Sequence, residues 1–162
     1  MKNPKILAII PARGGSKTIK NKNIISLCGK PLIAYTIVEA LKSKKLSNVI
    51  VSSDNEEIIS VSTKYGAEVP FRRPKKLSSD NSLSIDVIKH SVNKMEKIHN
   101  ITYDIVVMLQ PTTPMRKITP RPAVTSKLLK NLSRSSCTMA VSARFIVKLL
   151  ANSITVTTTP MF

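Results

Sequence analysis

Apolar residues cluster in four short runs along the chain, and a polar loop follows each of them. The run within residues 5–11 is unbroken from Ile6 to Ile10, which is typical of a strand buried on both faces. The segments "NVIVSSD" and "DIVVMLQ" repeat this pattern, and "AEVPFRR" is a weaker version of it. The pattern therefore predicts four strands, of which the third is the least regular.

Between these runs, apolar residues recur at helical spacing. Three amphipathic helices are predicted, one between each pair of successive strands. Their apolar faces are Ile33, Ile37, Ala40 and Leu41 in the first helix, Ile58, Val61 and Tyr65 in the second, and Ile85, Ile88, Val92 and Met95 in the third.

The ends of these predicted helices carry residues that favour helix boundaries. Pro31 suits the first turn of the first helix. Asp54 is expected to cap the second helix, with Glu57 completing a capping box and Gly66 ending the helix. Ser84 is expected to cap the third helix.

Alternation of strands and helices predicts an α/β fold with a mainly parallel sheet and helices on both faces. In such sheets, ligands bind beyond the carboxyl ends of the strands. The loops after Ile10, Val51, Phe71 and Leu109 are therefore expected to meet at one edge of the sheet. Those loops contain most of the basic and hydroxyl side chains that could bind a ligand.

Composition and length fit one globular domain, residues 1–162, because 42% of the residues are hydrophobic. The N-terminal apolar run is too short for a secretory signal, and no stretch approaches the ~20 apolar residues of a membrane helix. Cys28 and Cys137 are far apart, which favours two reduced thiols. We expect a cytoplasmic protein that does not bind a membrane.

The net charge of +17 predicts an anionic partner: nucleic acid, a membrane surface or a phosphorylated substrate. The sequence contains only three Tyr, three Phe and no Trp, so it lacks the aromatic platforms that stack nucleic-acid bases. We therefore expect no nucleic-acid partner. The charge is also uneven, since residues 105–162 contain no Asp or Glu.

The loop "PARGGSKTIKNKN" after the first strand has the composition of an anion-binding site. Glycines let backbone N–H groups approach a phosphate closely, while cations and a hydroxyl add further donors. A triphosphate is the expected guest, although neither the P-loop GxxxxGK[ST] nor the dinucleotide GxGxxG motif is present. The candidate phosphate ligands are Arg13, Gly14, Gly15, Ser16, Lys17 and Lys22.

Four motifs occur in order along residues 5–116: "PARGGSKxIxxKN", "VSSDNEEI", "RRPKKLSSDNSLSIDVI" and "LQPTTPMR". Together they resemble the N-acylneuraminate cytidylyltransferase (CMP-sialic acid synthetase) family. Relatives in that family activate other nine-carbon sugar acids, and the third motif resembles sialate or legionaminate enzymes more than pseudaminate enzymes. The resemblance implies a Rossmann-like nucleotide-diphospho-sugar transferase fold.

The resemblance also implies the chemistry and the partners. CTP and a 2-keto sugar acid such as N-acetylneuraminate would react to give the CMP-sugar and pyrophosphate, with Mg²⁺ bound together with CTP. Such phosphoryl transfer depends on positioning and charge neutralisation. Members of the family are homodimers, and no metal ligand is predicted within residues 1–162 themselves.

Residue roles follow from the same resemblance. Arg13 is expected to bind the triphosphate and Lys22 to stabilise the transition state, which makes them the candidate catalytic pair. Gln110, at the end of the fourth strand, is expected on the substrate side. The remaining expected CTP contacts are Gly14, Gly15, Ser16, Lys17, Asn23, Arg73, Ser82 and Ser84. Arg73 could instead be a surface cation and Ser84 a simple helix cap.

Other conspicuous polar residues are given no ligand-binding role. Asp54 is expected to act only as a cap, and Lys75 and Lys76 to be solvated. His90 and His99 do not share a close helix face, so they are expected at the surface rather than in a metal site.

The resemblance weakens in residues 117–162. There "TPRPAVTSKLLKNL" could be a helix, "CTMAVSA" a strand and "IVKLLANSITVTTTPMF" a hairpin, in line with the family. Because acidic residues are lacking, a frameshifted segment is the alternative. The family's metal-binding aspartates and dimerisation element have no counterpart here. A nucleotide-binding remnant without catalysis therefore stays an alternative to an active cytidylyltransferase, as does a basic nucleic-acid-binding protein.

Overall fold

A computed structural model describes residues 3–16, 19 and 21–114, and the backbone of three later strands. The strands are β1 (Ile6–Pro11), β2 (Ser26–Leu27), β3 (Lys30–Pro31), β4 (Asn48–Ser52), β5 (Ile105–Met108), β6 (Ser136–Val141), β7 (Phe145–Leu150) and β8 (Ser153–Thr158). The α-helices described are α1 (Leu32–Leu41), α2 (Glu56–Lys64) and α3 (Ser84–His99), and 3₁₀ turns span Lys22–Ile24 and Lys75–Leu77.

One sheet contains six of the described strands, in the order β4-β1-β5-β6-β7-β8. Strand β1 pairs in parallel with β4 on one side and β5 on the other, and β5 pairs in parallel with β6. The last two strands are antiparallel, each to the strand before it. The predicted mainly parallel sheet is confirmed.

The helices of the described region pack on opposite faces of this sheet, as predicted. Successive side chains of a strand point to opposite faces. Leu7 and Ile9 of β1 join a core cluster with residues of α3, whereas Ala8 and Ile10 join a cluster with residues of α1 and α2. All four of these β1 side chains are fully buried. An uninterrupted apolar run is therefore what a strand between two helical layers requires.

Strand order places a crevice between β1 and β5. From β1 the chain passes through α1 to β4 on one side, and it later returns through α3 to β5 on the other side. The two connections leave β1 in opposite directions, which makes the β1/β5 boundary the topological switch point of the sheet. Ligands of open parallel sheets bind in the crevice at the carboxyl ends of such strands.

Several local predictions were wrong. Leu41 is 47% exposed rather than part of the buried face of α1. Asn55, not Asp54, caps α2, because its side chain accepts a hydrogen bond from the Ile58 N–H at 3.1 Å. Leu83 precedes α3, and no side-chain capping bond from Ser84 is present there.

The predicted third strand, "AEVPFRR", is not a strand. It makes one isolated parallel bridge, between Glu68 and Ile50. Pro70 lacks an N–H group, which limits continuous pairing of this segment. The short β2–β3 ribbon was not predicted, since two-residue strands leave no periodic signal.

The later strands agree with the prediction for "CTMAVSA" and for the hairpin after it. The helix predicted in "TPRPAVTSKLLKNL" lies outside the described residues. Among the residues described, no helix is both long and apolar enough to cross a bilayer.

Candidate functional site

A cavity of about 380 Å³ opens at the switch point, at the carboxyl ends of β1 and β5. It is called the basic cavity here, because three cations and one carboxylate (Arg13, Lys22, Arg73 and Asp80) line it. The predicted loops after Ile10, Phe71 and Leu109 line this cavity, and the loop after Val51 contacts two of them through Asp54 and Ser53. The four loops thus meet at one edge, as predicted. The predicted ligand-binding residues that line it are Arg13, Ser16, Lys22, Asn23, Arg73, Ser82, Ser84 and Gln110.

The loop after β1 folds back on itself and brings its cations to the basic cavity. Ala12 donates its N–H to the Ser52 carbonyl at 3.0 Å, which extends the β1–β4 pairing by one residue. Asn23, which is buried, donates from Nδ2 to the Arg13 carbonyl at 2.9 Å. Asn21 enters the 3₁₀ turn in the left-handed conformation (φ 53°), which asparagine tolerates better than most residues. Because Asn23 follows Lys22 directly, its bond to the Arg13 carbonyl fixes the spacing between Arg13 and Lys22.

The two glycines face away from the basic cavity. The Gly14 N–H donates to Asp54 Oδ1 at 3.0 Å, and an added Cβ at Gly14 would lie 2.7 Å from the Asn55 Cβ. Gly14 is therefore needed for close packing of the loop against the start of α2. The predicted use of this N–H as a phosphate ligand is not what the geometry shows, since Asp54 accepts it. Lys17 lies outside the described residues.

On the far side of the glycines is a second opening of about 530 Å³, called the acidic cleft here. Three carboxylates and one guanidinium line it: Asp54, Glu56, Glu57 and Arg72. Arg72 binds Glu56 at 2.9 Å and donates from Nε to the Asp54 carbonyl at 3.0 Å. Asp54 is thus a loop-positioning residue and not the helix cap that the sequence predicted.

Arg73 is only 5% exposed, so the interpretation as a surface cation is wrong. Its guanidinium donates to the Ser52 carbonyl and, at 3.1 Å, to the Ser52 hydroxyl. Burial lowers the pKa of Arg73 to about 10; the nearby Asp54 carboxylate acts in the opposite direction, and Arg13 adds to the lowering. Arg73 remains charged at neutral pH and supplies a buried positive charge at the carboxyl end of β4.

A serine-rich loop forms the opposite wall of the basic cavity. The Ser82 hydroxyl donates to the Lys76 carbonyl at 2.9 Å, and the Ser79 and Ser82 hydroxyls are 2.8 Å apart. Because Ser82 has one hydroxyl proton, Ser79 must be the donor in the second bond. Ser84 begins α3 at the cavity wall, where the positive end of the helix dipole favours an anion.

At the end of β5, Gln110 lines the basic cavity and its carbonyl accepts a hydrogen bond from the Thr113 hydroxyl at 3.0 Å. This local turn follows the strand directly. Thr112 lies on the same wall. The prediction of Gln110 at the substrate edge of the fourth strand agrees with this placement.

Asp80 is the charged residue of the cavity lining that sequence reasoning missed, and the polar Ser79 and Thr112 were missed with it. The Asp80 carboxylate binds the Arg13 guanidinium at 2.5 Å, across the cavity from the serine loop to the β1 loop. Apolar lining residues were missed as well, among them Leu77, Val87 and Met108. The aspartate in "LSSDNS" was visible as the single carboxylate within a serine-rich motif, but its partner 67 residues earlier was not.

Among the residues given no role, Lys75, Lys76 and His99 are exposed, as predicted. His90 is half-buried rather than exposed. Its ring packs edge-on against Phe71, with 5.2 Å between ring centres, and its Nδ1 is buried without a hydrogen-bond partner among the described residues. Burial lowers the pKa of His90, and the charges of Lys94 and Arg73 lower it further.

The fit of Mg²⁺ to this site depends on the carboxylates available. Within the described part of the chain, no three His, Cys, Asp or Glu residues converge on one point. Asp80, the acidic residue of the basic cavity, is paired with Arg13. These side chains do not form a protein-only Mg²⁺ site, which needs near-octahedral oxygen ligands.

Comparison with known proteins places these features in a family. A sequence model described as cytidylyltransferase matches residues 7–157. A pseudaminic acid cytidylyltransferase of Campylobacter jejuni is 50% identical over 111 residues, which are 68% of this chain and 47% of that protein. An N-acylneuraminate cytidylyltransferase of Escherichia coli is 39% identical over 138 residues, 85% of this chain and 31% of that protein.

A solved structure gives the same picture of the fold. CMP:2-keto-3-deoxy-manno-octonic acid synthetase complexed with CTP matches with a TM-score of 0.56 and 25% identity, over 78% of this chain and 46% of that chain. The chain thus spans about half the length, or less, of the relatives it matches. Since the family model covers most of the sequence, from the first strand to the last, the chain belongs to the cytidylyltransferase family.

Proposed function

We propose that this chain carries the CTP-binding part of a cytidylyltransferase that transfers CMP to a nine-carbon 2-keto sugar acid. One observation carries the proposal: eight residues predicted from the motifs line a single cavity at the switch point of the sheet. The relatives' names refer to pseudaminic acid and N-acylneuraminate, so the proposal specifies the class of sugar acid and leaves the individual sugar to experiment.

In the proposed reaction, the anomeric hydroxyl of the sugar attacks the α-phosphorus of CTP. A new O–P bond forms between the sugar oxygen and the α-phosphorus, the P–O bond to the departing pyrophosphate breaks, and the hydroxyl proton passes to solvent water. Arg13 and Lys22 are 9 residues apart in sequence and belong to one folded loop. They would neutralise the triphosphate and the departing pyrophosphate. The partly buried setting strengthens these charge-assisted hydrogen bonds.

The opposite wall suits the nucleoside. Arg73 and the polar side chains of Ser82 and Ser84 lie next to apolar Leu77 and Val87 in the cavity wall, a mixture that favours a base and ribose over a second phosphate. We also propose that Mg²⁺ binds together with CTP, with phosphate oxygens supplying most of its ligands. The dimer of the full-length family is likewise a proposal for the whole protein.

Titration calorimetry with CTP tests the binding half of the proposal. Arg13→Ala is expected to weaken CTP binding roughly 10- to 100-fold, because it removes a charged hydrogen bond to phosphate. Arg72→Ala is the matched control: it removes the same charge from the acidic cleft and is expected to change the affinity by less than about twofold.

Equal binding by wild type and Arg13→Ala, or no binding by either, would contradict the proposal. Binding to single-stranded DNA that falls steeply with salt and ignores Arg13 would favour a nucleic-acid-binding protein instead. Pyrophosphate release from CTP and Mg²⁺ is then measured with N-acetylneuraminate, legionaminate and pseudaminate in turn. Release with one sugar identifies the substrate, whereas CTP binding without release indicates a nucleotide-binding remnant.

A further inference from the structure

Asp80 forms an ion pair with Arg13, the side chain that the proposed function assigns to phosphate binding. The Arg13 guanidinium and the Asp80 carboxylate are 2.5 Å apart, and their side chains are 36% and 37% exposed. Both residues line the basic cavity. A carboxylate is the closest protein mimic of a phosphate oxygen pair, since both accept hydrogen bonds from guanidinium in the same geometry.

A polyphosphate and the Asp80 carboxylate cannot share Arg13 at low energetic cost. Both are anions, and two like charges at hydrogen-bond distance from one guanidinium repel each other in a partly desolvated cavity. Because the pair is partly exposed, it is weak enough to be broken by a multiply charged ligand.

The position of Asp80 also matters. It lies in the short loop between the Lys75–Leu77 turn and α3, two residues before Ser82, whose hydroxyl is bonded to Ser79 and to the Lys76 carbonyl. The Arg13–Asp80 ion pair therefore joins the loop that would contact the nucleoside to the loop that would bind the phosphates.

We propose that Asp80 is an internal competitor for the phosphate site, which holds Arg13 in the ligand-free chain and is displaced when a polyphosphate binds. This inference rests on the proposed function. Asp80 lowers the apparent affinity, because only the fraction of molecules with Arg13 released can bind phosphate. It thereby disfavours ligands with too little negative charge to displace it.

The test is the affinity for CTP, and for pyrophosphate and cytidine as separate probes, in Asp80→Asn. We expect CTP and pyrophosphate to bind about three- to tenfold more tightly and cytidine to bind as before, with a gain that shrinks at high salt. Asp80→Ala is expected to give the same gain. Glu39→Gln is the matched control, since it removes one carboxylate from a surface ion pair of the same 2.5 Å length.

A double-mutant cycle separates this competition from a general effect of charge. In the Arg13→Ala background, Asp80→Asn is expected to leave CTP affinity unchanged, because the contested cation is gone. Weaker or unchanged CTP binding in Asp80→Asn, or an equal gain in Glu39→Gln or in the Arg13→Ala background, overturns the inference while leaving the proposed function intact. No CTP binding by wild type or by Asp80→Asn overturns both.

Discussion

The basic cavity and the acidic cleft lie on opposite sides of one loop and have inverse compositions. The cavity is lined by three cations and one carboxylate, the cleft by three carboxylates and one cation. In each, the minority charge is paired: Asp80 with Arg13, and Arg72 with Glu56. The net positive cavity and the net negative cleft thus share the loop after β1, where Arg13 lines the first and Gly14 the second.

This comparison explains the roles of two pairs of neighbouring residues. Arg72 and Arg73 are adjacent in sequence, yet Arg72 lies exposed at the acidic cleft and Arg73 lies buried at the basic cavity. Gly14 and Gly15 line the acidic cleft, although a glycine pair beside cations suggests a phosphate loop. The side chains on the basic side are therefore the ones expected to bind the anion.

The largest expected effect distinguishes the two arginines. Burial lowers the pKa of Arg73 to about 10, which corresponds to a cost of about 3 kcal/mol for holding its charge in the fold. Such a charge is kept for binding rather than for stability. Arg73→Met is expected to lower CTP affinity more than about tenfold while changing the free energy of unfolding by less than about 1 kcal/mol.

Calorimetry and denaturant unfolding check these two quantities on the same samples. Arg72→Met is the control and is expected to leave both nearly unchanged, because exposed ion pairs contribute little. If Arg73→Met bound CTP normally, or if Arg72→Met bound it as poorly, the contrast between cavity and cleft would have no functional meaning.

The next effect concerns the loop that separates the two openings. Gly14→Ala places a Cβ 2.7 Å from the Asn55 Cβ, so the loop must move away from α2. We expect a loss of about 1–3 kcal/mol in the free energy of unfolding. The Cβ added by Gly15→Ala would have no atom within 4 Å, so we expect the free energy of unfolding to change by less than about 0.5 kcal/mol. Similar melting curves for the two variants would show that the loop does not pack as described.

A smaller effect is expected for Asp54, which accepts the Gly14 N–H from the acidic side. Asp54→Asn keeps the shape but makes the hydrogen bond neutral, so a loss of about 1 kcal/mol is expected. Glu57→Gln is the control, because its carboxylate makes a longer, exposed contact with Asn21 at 3.3 Å. Equal free energies of unfolding for the two variants would show that the Asp54–Gly14 hydrogen bond does not stabilise the loop.

The strands that line the basic cavity were predictable because burial on both faces forces an uninterrupted apolar run. Ile6–Ile10 and "DIVVMLQ" show this directly, and their parallel pairing follows from the helices between them. The edge at which Arg13 and Gln110 meet could therefore be predicted without a structure.

The contacts between distant loops could not be predicted in the same way. Asp54 and Asn55 are both good capping residues in sequence, and only the approach of Gly14 decides that Asn55 caps α2. Likewise, nothing local connects Asp80 with Arg13. Side-chain pairing across the cavity depends on three-dimensional distance, which residue spacing does not encode.

The smallest expected effect tests how far the charge of the basic cavity reaches into the core. The pKa of His90 is lowered by burial and by the charges of Lys94 and Arg73, so below pH 6.5 the unfolded chain binds more protons than the folded chain. The free energy of unfolding is therefore expected to fall as the pH drops below 6.5, and to fall less in His90→Gln. His99→Gln, at an exposed position of the same helix, is expected to retain the wild-type slope.

An NMR titration of the His90 ring separates the two causes. Arg73→Met removes one repelling charge and is expected to raise the pKa of His90, whereas Arg72→Met, which changes the acidic cleft, is expected to leave it where it is. Since burial is the larger cause, the pKa of His90 should stay below its ordinary value even in Arg73→Met. Equal shifts in both variants would mean that the basic cavity and the acidic cleft are not electrostatically separate at His90.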